Sequence, residues 1–283
     1  MRKLSHNVAA HAFVLFLFAN QHIEAAAFQN RKTEIVFEGN KIFSSQTLLN
    51  ETHKCFDQFP KSQDPYDSEV LDYCFRTVNR FMNRAGFLRA TVGNVKREET
   101  EGALKIIVPI EERARYRLAE VKIEGARLFS TEQLAGMLQI KVGDIADADE
   151  IGGWLFERVK KAYADKGYIE YTAEVTPDFQ PVPPDTDEGL VSLKVSIDEG
   201  GLFLISRIEF TGNSHTSDPL LRHTLLIQED QPFSQQLFED SLKKLNDLEL
   251  FERVDAGKDI DFNTDREKKQ LRIVIHLREK DQT

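Results

Sequence analysis

A short alternating stretch that stops at a glycine is written three times in this chain, and it restricts the fold more than any other feature. Glu34-Ile35-Val36-Phe37-Glu38-Gly39-Asn40, Glu120-Val121-Lys122-Ile123-Glu124-Gly125 and Arg207-Ile208-Glu209-Phe210-Thr211-Gly212-Asn213 share the pattern. Their glycines, at 39, 125 and 212, lie 86 and 87 residues apart. A period of that length means one supersecondary unit used three times rather than one large domain. Each copy alternates apolar and polar residues, as a strand with one buried face does, and then turns at a residue that takes positive φ without steric cost.

The first 27 residues read as a secretory signal peptide. Arg2 and Lys3 give a positive start, the apolar run over 8–19 is interrupted only by His11, and Ala25-Ala26-Ala27 offers small residues for cleavage. The run is short for an ordinary membrane-spanning helix, and an uncleaved anchor is the alternative. The rest reads as a secreted or periplasmic protein. Net charge is −10 for the whole chain, which disfavours nucleic-acid binding through a general basic surface, because phosphate contacts need clustered Lys and Arg. The only two cysteines, Cys55 and Cys74, are a candidate disulfide in an oxidising compartment, with two buried thiols as the alternative.

Each unit reads strand, helix, helix, strand, strand. In the first, Ser44 caps a helix running to about residue 59, and a second helix from near Asp67 carries Val70, Leu71, Cys74, Phe75, Val78, Phe81 and Met82 on one stripe. Gly86 ends it, and strands over 91–96 and 104–110 follow. In the second, Ser130 and Gln133 form a capping box, Asp147 or Asp149 caps the next helix, and strands over 169–176 and 191–197 follow Gly167. Gly152-Gly153 inside that helix implies a ragged start or a closely packed neighbour. In the third, Thr216 or Ser217 precedes Pro219, Ser234 caps the second helix, and the last strand runs over 270–277. The fold class expected is therefore α+β: three tandem β-α-α-β-β modules at 33–113, 115–200 and 202–280. Each is a three-stranded mixed sheet covered by two helices on one face. The most apolar strand, the last of each unit, is expected at the centre, with the first and second strands as edges.

Nothing in the sequence signals chemistry. There is no nucleophile elbow, phosphate loop or zinc-hydrolase helix, so no catalytic, cofactor-binding or metal-ligating residue is assigned and an enzyme is not expected. The seven histidines are scattered, Trp154 reads as a core or module-interface residue, and the acidic pairs Glu98-Glu99 and Glu111-Glu112 read as solvated turn charges. Asn50-Glu51-Thr52 matches a glycosylation sequon.

With this order in hand, the sequence resembles the POTRA family, the polypeptide-transport-associated domains that precede the β-barrel of BamA-type outer-membrane assembly factors. The residues that carry the resemblance are the strands ending at Gly39-Asn40, Gly125 and Gly212-Asn213, and the helix exits Gly86-Phe87 and Gly167-Tyr168. The strand ends Pro109-Ile110-Glu111-Glu112 and Ile197-Asp198-Glu199-Gly200 complete it. The resemblance implies tandem periplasmic modules, associated with the outer membrane, that receive unfolded outer-membrane polypeptides or an assembly partner by adding an extended strand to a sheet edge. Such an edge gives affinity through unpaired backbone groups without demanding one sequence. The implied edges are 88–96, 169–176 and 253–260, with Leu88, Ala90, Val92, Ile169, Tyr171, Ala173 and Val175 as candidate binding residues. The third edge, with Asp255, Lys258 and Asp259, is the most charged. The chain stops at Thr283 without barrel strands, which reads as a free-standing POTRA protein or a fragment of a longer factor. A structural spacer docking to an envelope, secretion or division complex is the competing function.

Overall fold

The computed structural model describes residues 32–60, 64, 66–100 and 102–280. The expected signal peptide lies outside the described residues. The chain forms two compact units: residues up to Tyr116 together with Val182–Glu188, and Arg117–Pro181 together with Gly189–Thr283.

In the first unit, β1 (Lys32–Glu38) leads through α1 (Ser45–Phe56) and α2 (Ser68–Arg84) to β2 (Thr91–Val92), β3 (Lys96–Thr100) and β4 (Ala103–Glu111). Strand β4 is central: β1 pairs with it in parallel, and β2 and β3 pair antiparallel on its other side. Both helices bury apolar stripes against one sheet face, with Leu48, Leu71, Phe75, Val78 and Met82 packing on Phe37, Ile106 and Val108. Beside that core Cys55 and Cys74 form a disulfide with their Cα atoms 5.5 Å apart, flanked by Val70.

The second edge of this sheet is broken for a reason that can be read from β4. Gly93 N donates to Pro109 O (2.8 Å), so residue 109 turns its backbone towards the edge strand but has no N–H to offer it. Three residues, 93–95, then stand opposite two, and the pairing shifts by one residue between Val92↔Ile110 and Lys96↔Ile107. This is a bulge at the one proline of a central strand.

The second unit holds two sheets. In one, β5 (Arg115–Glu124), β7 (Glu188–Asp198) and β6 (Thr172–Phe179) lie in the order β5-β7-β6; in the other, β8 (Leu204–Thr211), β10 (Gln270–His276) and β9 (Ile260–Asp265) lie in the order β8-β10-β9. The β6–β7 and β9–β10 pairs are antiparallel, and β8–β10 is parallel. The last strand of each repeat is thus central, and the expected mixed α+β architecture is the observed one, with the second edge of the first sheet divided into β2 and β3.

The helices between start where their caps dictate. Ser130 and Gln133 complete the capping box of α3 (Thr131–Ala135), Asp147 accepts from Asp149 N and Glu150 N at α4 (Ala148–Gly153), and Ser234 accepts from Leu237 N at α7 (Gln235–Asp247). Helix α6 (Asp218–Thr224) has Ser217 before it and a proline in its first turn. A Cβ on Gly152 would meet nothing within 4 Å, and one on Gly153 only the ends of the Arg158 and Glu157 side chains at 3.6 and 3.8 Å, ordinary contact distances, so no close neighbour explains the Gly152-Gly153 pair. These glycines lie instead where the α-helix widens into a π-helical segment (Trp154–Val159) before α5 (Lys160–Ala164). Trp154, Leu155 and Val159 are all buried there, and Trp154 Nε1 donates to Leu134 O (2.8 Å).

Candidate sheet-edge site

Each repeat is closed by the same two devices. A Cβ added to Gly39, Gly125 or Gly212 would fall 2.4, 2.1 or 2.0 Å from the carbonyl oxygen of Ile110, Ile197 or Leu277, and all three glycines have φ between +80° and +90°. The chain then passes over a glutamate that follows the central strand. Glu112 accepts the N–H groups of Lys41, Ile42 and Phe43 at 2.7–2.8 Å. Glu199 accepts those of Arg127 and Leu128 (2.7 and 2.8 Å), and Glu279 those of His215 and Thr216 (3.0 and 2.8 Å). The reading of Glu112 as a solvated turn charge is therefore corrected: it is 5 % exposed and holds a loop. Glu98 and Glu99, on β3, are exposed.

Two of the three, Glu279 and Glu199, lie below the ordinary carboxylate range. The His215 ring, then, against burial, the N–H groups of His215 and Thr216, bring Glu279 down to about 2. At Glu199 burial acts upward, but the N–H groups of Leu128 and Arg127 and the Tyr163 hydroxyl (2.8 Å) outweigh it, and the carboxyl lies below its ordinary range. Burial pushes the Tyr171 hydroxyl up to about 12, and that hydroxyl has no hydrogen-bond partner among the described residues.

The two edges of each sheet in the second unit are not equivalent. On the β5 side, Leu118 exchanges hydrogen bonds with the loop before α4, donating to Asp144 O and accepting from Gly143 N (2.9 and 2.8 Å). On the β8 side, Ile205 does the same with Gln231 O and Asp230 N (2.9 and 2.7 Å), and Glu229 accepts from Ile208 N (2.8 Å). Loops thus occupy backbone groups of both opening edges. Strands β6 and β9 pair with one neighbour each, and among the described residues no strand lies on their other side.

The register of β6 tells which of its groups are unpaired. Gln180 N donates to Leu190 O (2.9 Å) just beyond the Phe179↔Val191 pair, so 172, 174, 176, 178 and 180 turn their backbone groups to β7 and the odd positions turn theirs away. Pro177 confirms the assignment, since a residue without N–H belongs on the unpaired side of an edge strand. Ala173 and Val175 therefore aim N–H and C=O outward while their side chains pack on the core with Trp154 and Tyr163.

The candidate residues fall into three groups. Ala173 and Val175 stand on the open edge. Val92 is on β2, beside the bulge. The other four are corrected. Leu88 and Ala90 lie in a turn, closed by Ala90 N donating to Phe87 O (2.9 Å), with Ala90 buried. Ile169 and Tyr171 precede β6, which starts at Thr172 rather than 169. Gly167 and Gly86 both have positive φ, and Tyr168 N and Phe87 N donate back to Tyr163 O and Met82 O (3.0 and 3.1 Å), a glycine-terminated helix end.

The turn after Gly167 is then committed elsewhere. Gly167 O accepts from Phe203 N (2.9 Å), Ile169 packs on the core of the third repeat, and Glu170 bonds Lys269 and Arg266 (2.9 and 2.7 Å). At Ile169 the apolar alternation that read as strand records docking between the second and third repeats, whereas Tyr171 is buried in the core of its own repeat, its ring stacked on Tyr163 (4.7 Å). The third edge also moves. Residues 253–259 form a loop in which the Asn246 side chain bonds Val254 N and O, and Asp259, buried, accepts from Asp255 N and pairs with Arg278 (2.9 Å). The strand begins at Ile260, where it was expected to end.

In the first unit, a groove of about 540 Å³ runs between α2 and the bulge, lined by Phe75, Arg76, Asn79, Val92, Gly93 and Val95. The Oδ1 of Asn79 is buried there with no partner among the described residues. Sequence reasoning missed this groove, whose one signal is Pro109. In the sequon Thr52 is fully buried and donates to Leu48 O (2.9 Å), while Asn50 is exposed.

Comparison with known proteins agrees with this architecture. The family model for POTRA, described as surface antigen variable number repeat, matches residues 32–113, 116–200 and 203–280. A Treponema pallidum protein named for outer membrane protein assembly is 26% identical over 227 residues, covering 77% of this chain and 26% of its own length. Outer membrane protein assembly factor BamA of Neisseria meningitidis is 22% identical over 228 residues, covering 78% of this chain and 28% of its own length. The chain thus spans less than a third of the length of these curated relatives. The crystal structure of Haemophilus influenzae BamA POTRA3-5 superposes with a TM-score of 0.64 at 17% identity, covering 88% of this chain and 96% of that one, and shows the same fold. The chain belongs to the POTRA family, in three successive copies.

Proposed function

We propose that this protein is a non-enzymatic periplasmic scaffold that binds outer-membrane protein polypeptides, or a partner in their assembly, by taking an extended strand onto its sheet edges. The observation that carries the reading is the open side of β6, where Ala173 and Val175 present outward N–H and C=O groups on an eight-residue strand. Backbone groups of the opening edges are occupied by loops, so β6 is the better donor and acceptor of new ladder bonds. The names of the relatives, all outer membrane protein assembly factors, support the class of client.

The test uses the geometry of β6. Val175→Pro deletes one outward N–H and leaves the bonds to β7 untouched, whereas Thr176→Pro removes an inward N–H and weakens the sheet itself. The chain is immobilised and offered unfolded outer-membrane barrel protein. Capture that drops in Val175→Pro at unchanged thermal stability supports strand addition, and capture equal to that of the unsubstituted chain overturns it. A single folded partner retained by Val175→Pro would point to the docking spacer instead.

A further inference from the structure

The polar face of β6 makes the open edge selective. Its exposed side chains are Thr172, Glu174, Thr176 and Asp178, so the only charges on that face of the strand are two carboxylates four residues apart. Neither has an ion-pair partner among the described residues. The other second-strand edges differ. On β9, Asp261 bonds His276 (2.8 Å) and Asp265 bonds Lys268 (3.4 Å), and β3 mixes Lys96 and Arg97 with Glu98 and Glu99.

The register sharpens this. Since 173, 175 and 177 direct their backbone groups outward, an antiparallel guest would face Glu174, Thr176 and Asp178 in non-hydrogen-bonded pairs. In such pairs the Cα atoms approach to about 4.5 Å and side chains interact most strongly. Guest residues opposite Ala173 and Val175 would extend the apolar face over the core. From this we infer that β6 selects extended segments of the pattern basic, apolar, neutral, apolar, basic, in which two Lys or Arg residues four apart meet Glu174 and Asp178. The inference rests on the strand-addition reading and adds the chemistry of the preferred client.

Three synthetic nine-residue peptides, Thr-Val-Xaa-Val-Thr-Val-Xaa-Val-Thr with Xaa as Lys, Ser or Glu, test it against the full chain by fluorescence anisotropy. Amide hydrogen exchange at Ala173 and Val175 is followed in parallel. Two exposed cross-strand charge pairs correspond to roughly a 2- to 25-fold preference for Lys over Ser, with Glu weaker still, and the spread should collapse in about 1 M salt. The surface double variant E174K/D178K should invert the order. Equal affinities with both amides protected would overturn the charge selectivity and leave strand addition standing. The order Lys over Ser over Glu persisting in E174K/D178K would also overturn it, since the attraction would then belong to the acidic chain as a whole. If no peptide protects Ala173 or Val175, strand addition fails and the selectivity with it.

Discussion

Gly125 faces the carbonyl oxygen of Ile197 so closely that a Cβ at position 125 would lie 2.1 Å from it. The glycine therefore answers two demands at once, a φ of +87° and room for a backbone atom. Gly143, at φ +94°, would meet nothing within 4 Å. Gly143→Ala should cost about 1–2 kcal/mol for the left-handed conformation alone. Gly125→Ala should cost roughly 3–4 kcal/mol, because a strand carbonyl must also move. Urea unfolding of the two variants measures the difference, and equal losses would remove the close-approach argument.

Among the described residues, Glu112 is the sole side chain bonded to the N–H groups of Lys41, Ile42 and Phe43. Glu112→Ala should destabilise the first unit by about 3 kcal/mol or more, since it strands donors beneath a side chain that was buried. Glu98→Ala, on the exposed β3, should stay within about 0.5 kcal/mol. Similar losses in the two variants would return Glu112 to the status of a turn charge.

Glu279 gives the fold an acid limb. Its carboxyl lies at about 2 in the folded chain against an ordinary 4.5, so the unfolded chain binds more protons between these values and stability rises with pH across that window. The contribution is whole above about pH 4.5 and is lost as pH falls towards 2. Glu279→Gln should flatten the fall in urea midpoint between pH 5 and 2.5, and His215→Ala should flatten it in part. A slope identical in all three proteins would count against this account.

The Cys55–Cys74 bridge closes a loop with a sequence separation of 19. In the chain-entropy picture such a closure stabilises by about 3 kcal/mol. The double variant C55A/C74A, or the reduced chain, should lose that amount from the first unit and leave exchange protection in β7 and β10 unchanged. No loss in the first unit would mean that its core holds α1 to α2 unaided.

Much of this fold is legible in the sequence alone. The three glycines gave the period, the caps at Ser130, Asp147 and Ser234 gave the helix starts, and the apolar run over 104–110 gave a central strand, because these signals are local and depend on neighbours within a few residues. The site was less legible. Ile169 and Tyr171 continue the alternation of Ala173 and Val175 without a break, and hydrophobic periodicity does not distinguish Ile169, packed against the next repeat, from side chains buried in their own repeat.

What the sequence determined by itself is the repeat, its order of elements and which strand is central, since burial pattern and turn chemistry are written residue by residue. The tertiary structure decided which edges are open. Loops around Asp144 and Gln231 cover one side of two sheets, Pro109 breaks the second edge of the first, and the pairing of Gln180 with Leu190 turns Ala173 and Val175 outward. Each of these depends on hydrogen bonds between residues far apart in the chain or on opposite strands, and a one-residue change of register would reverse which groups of β6 are free.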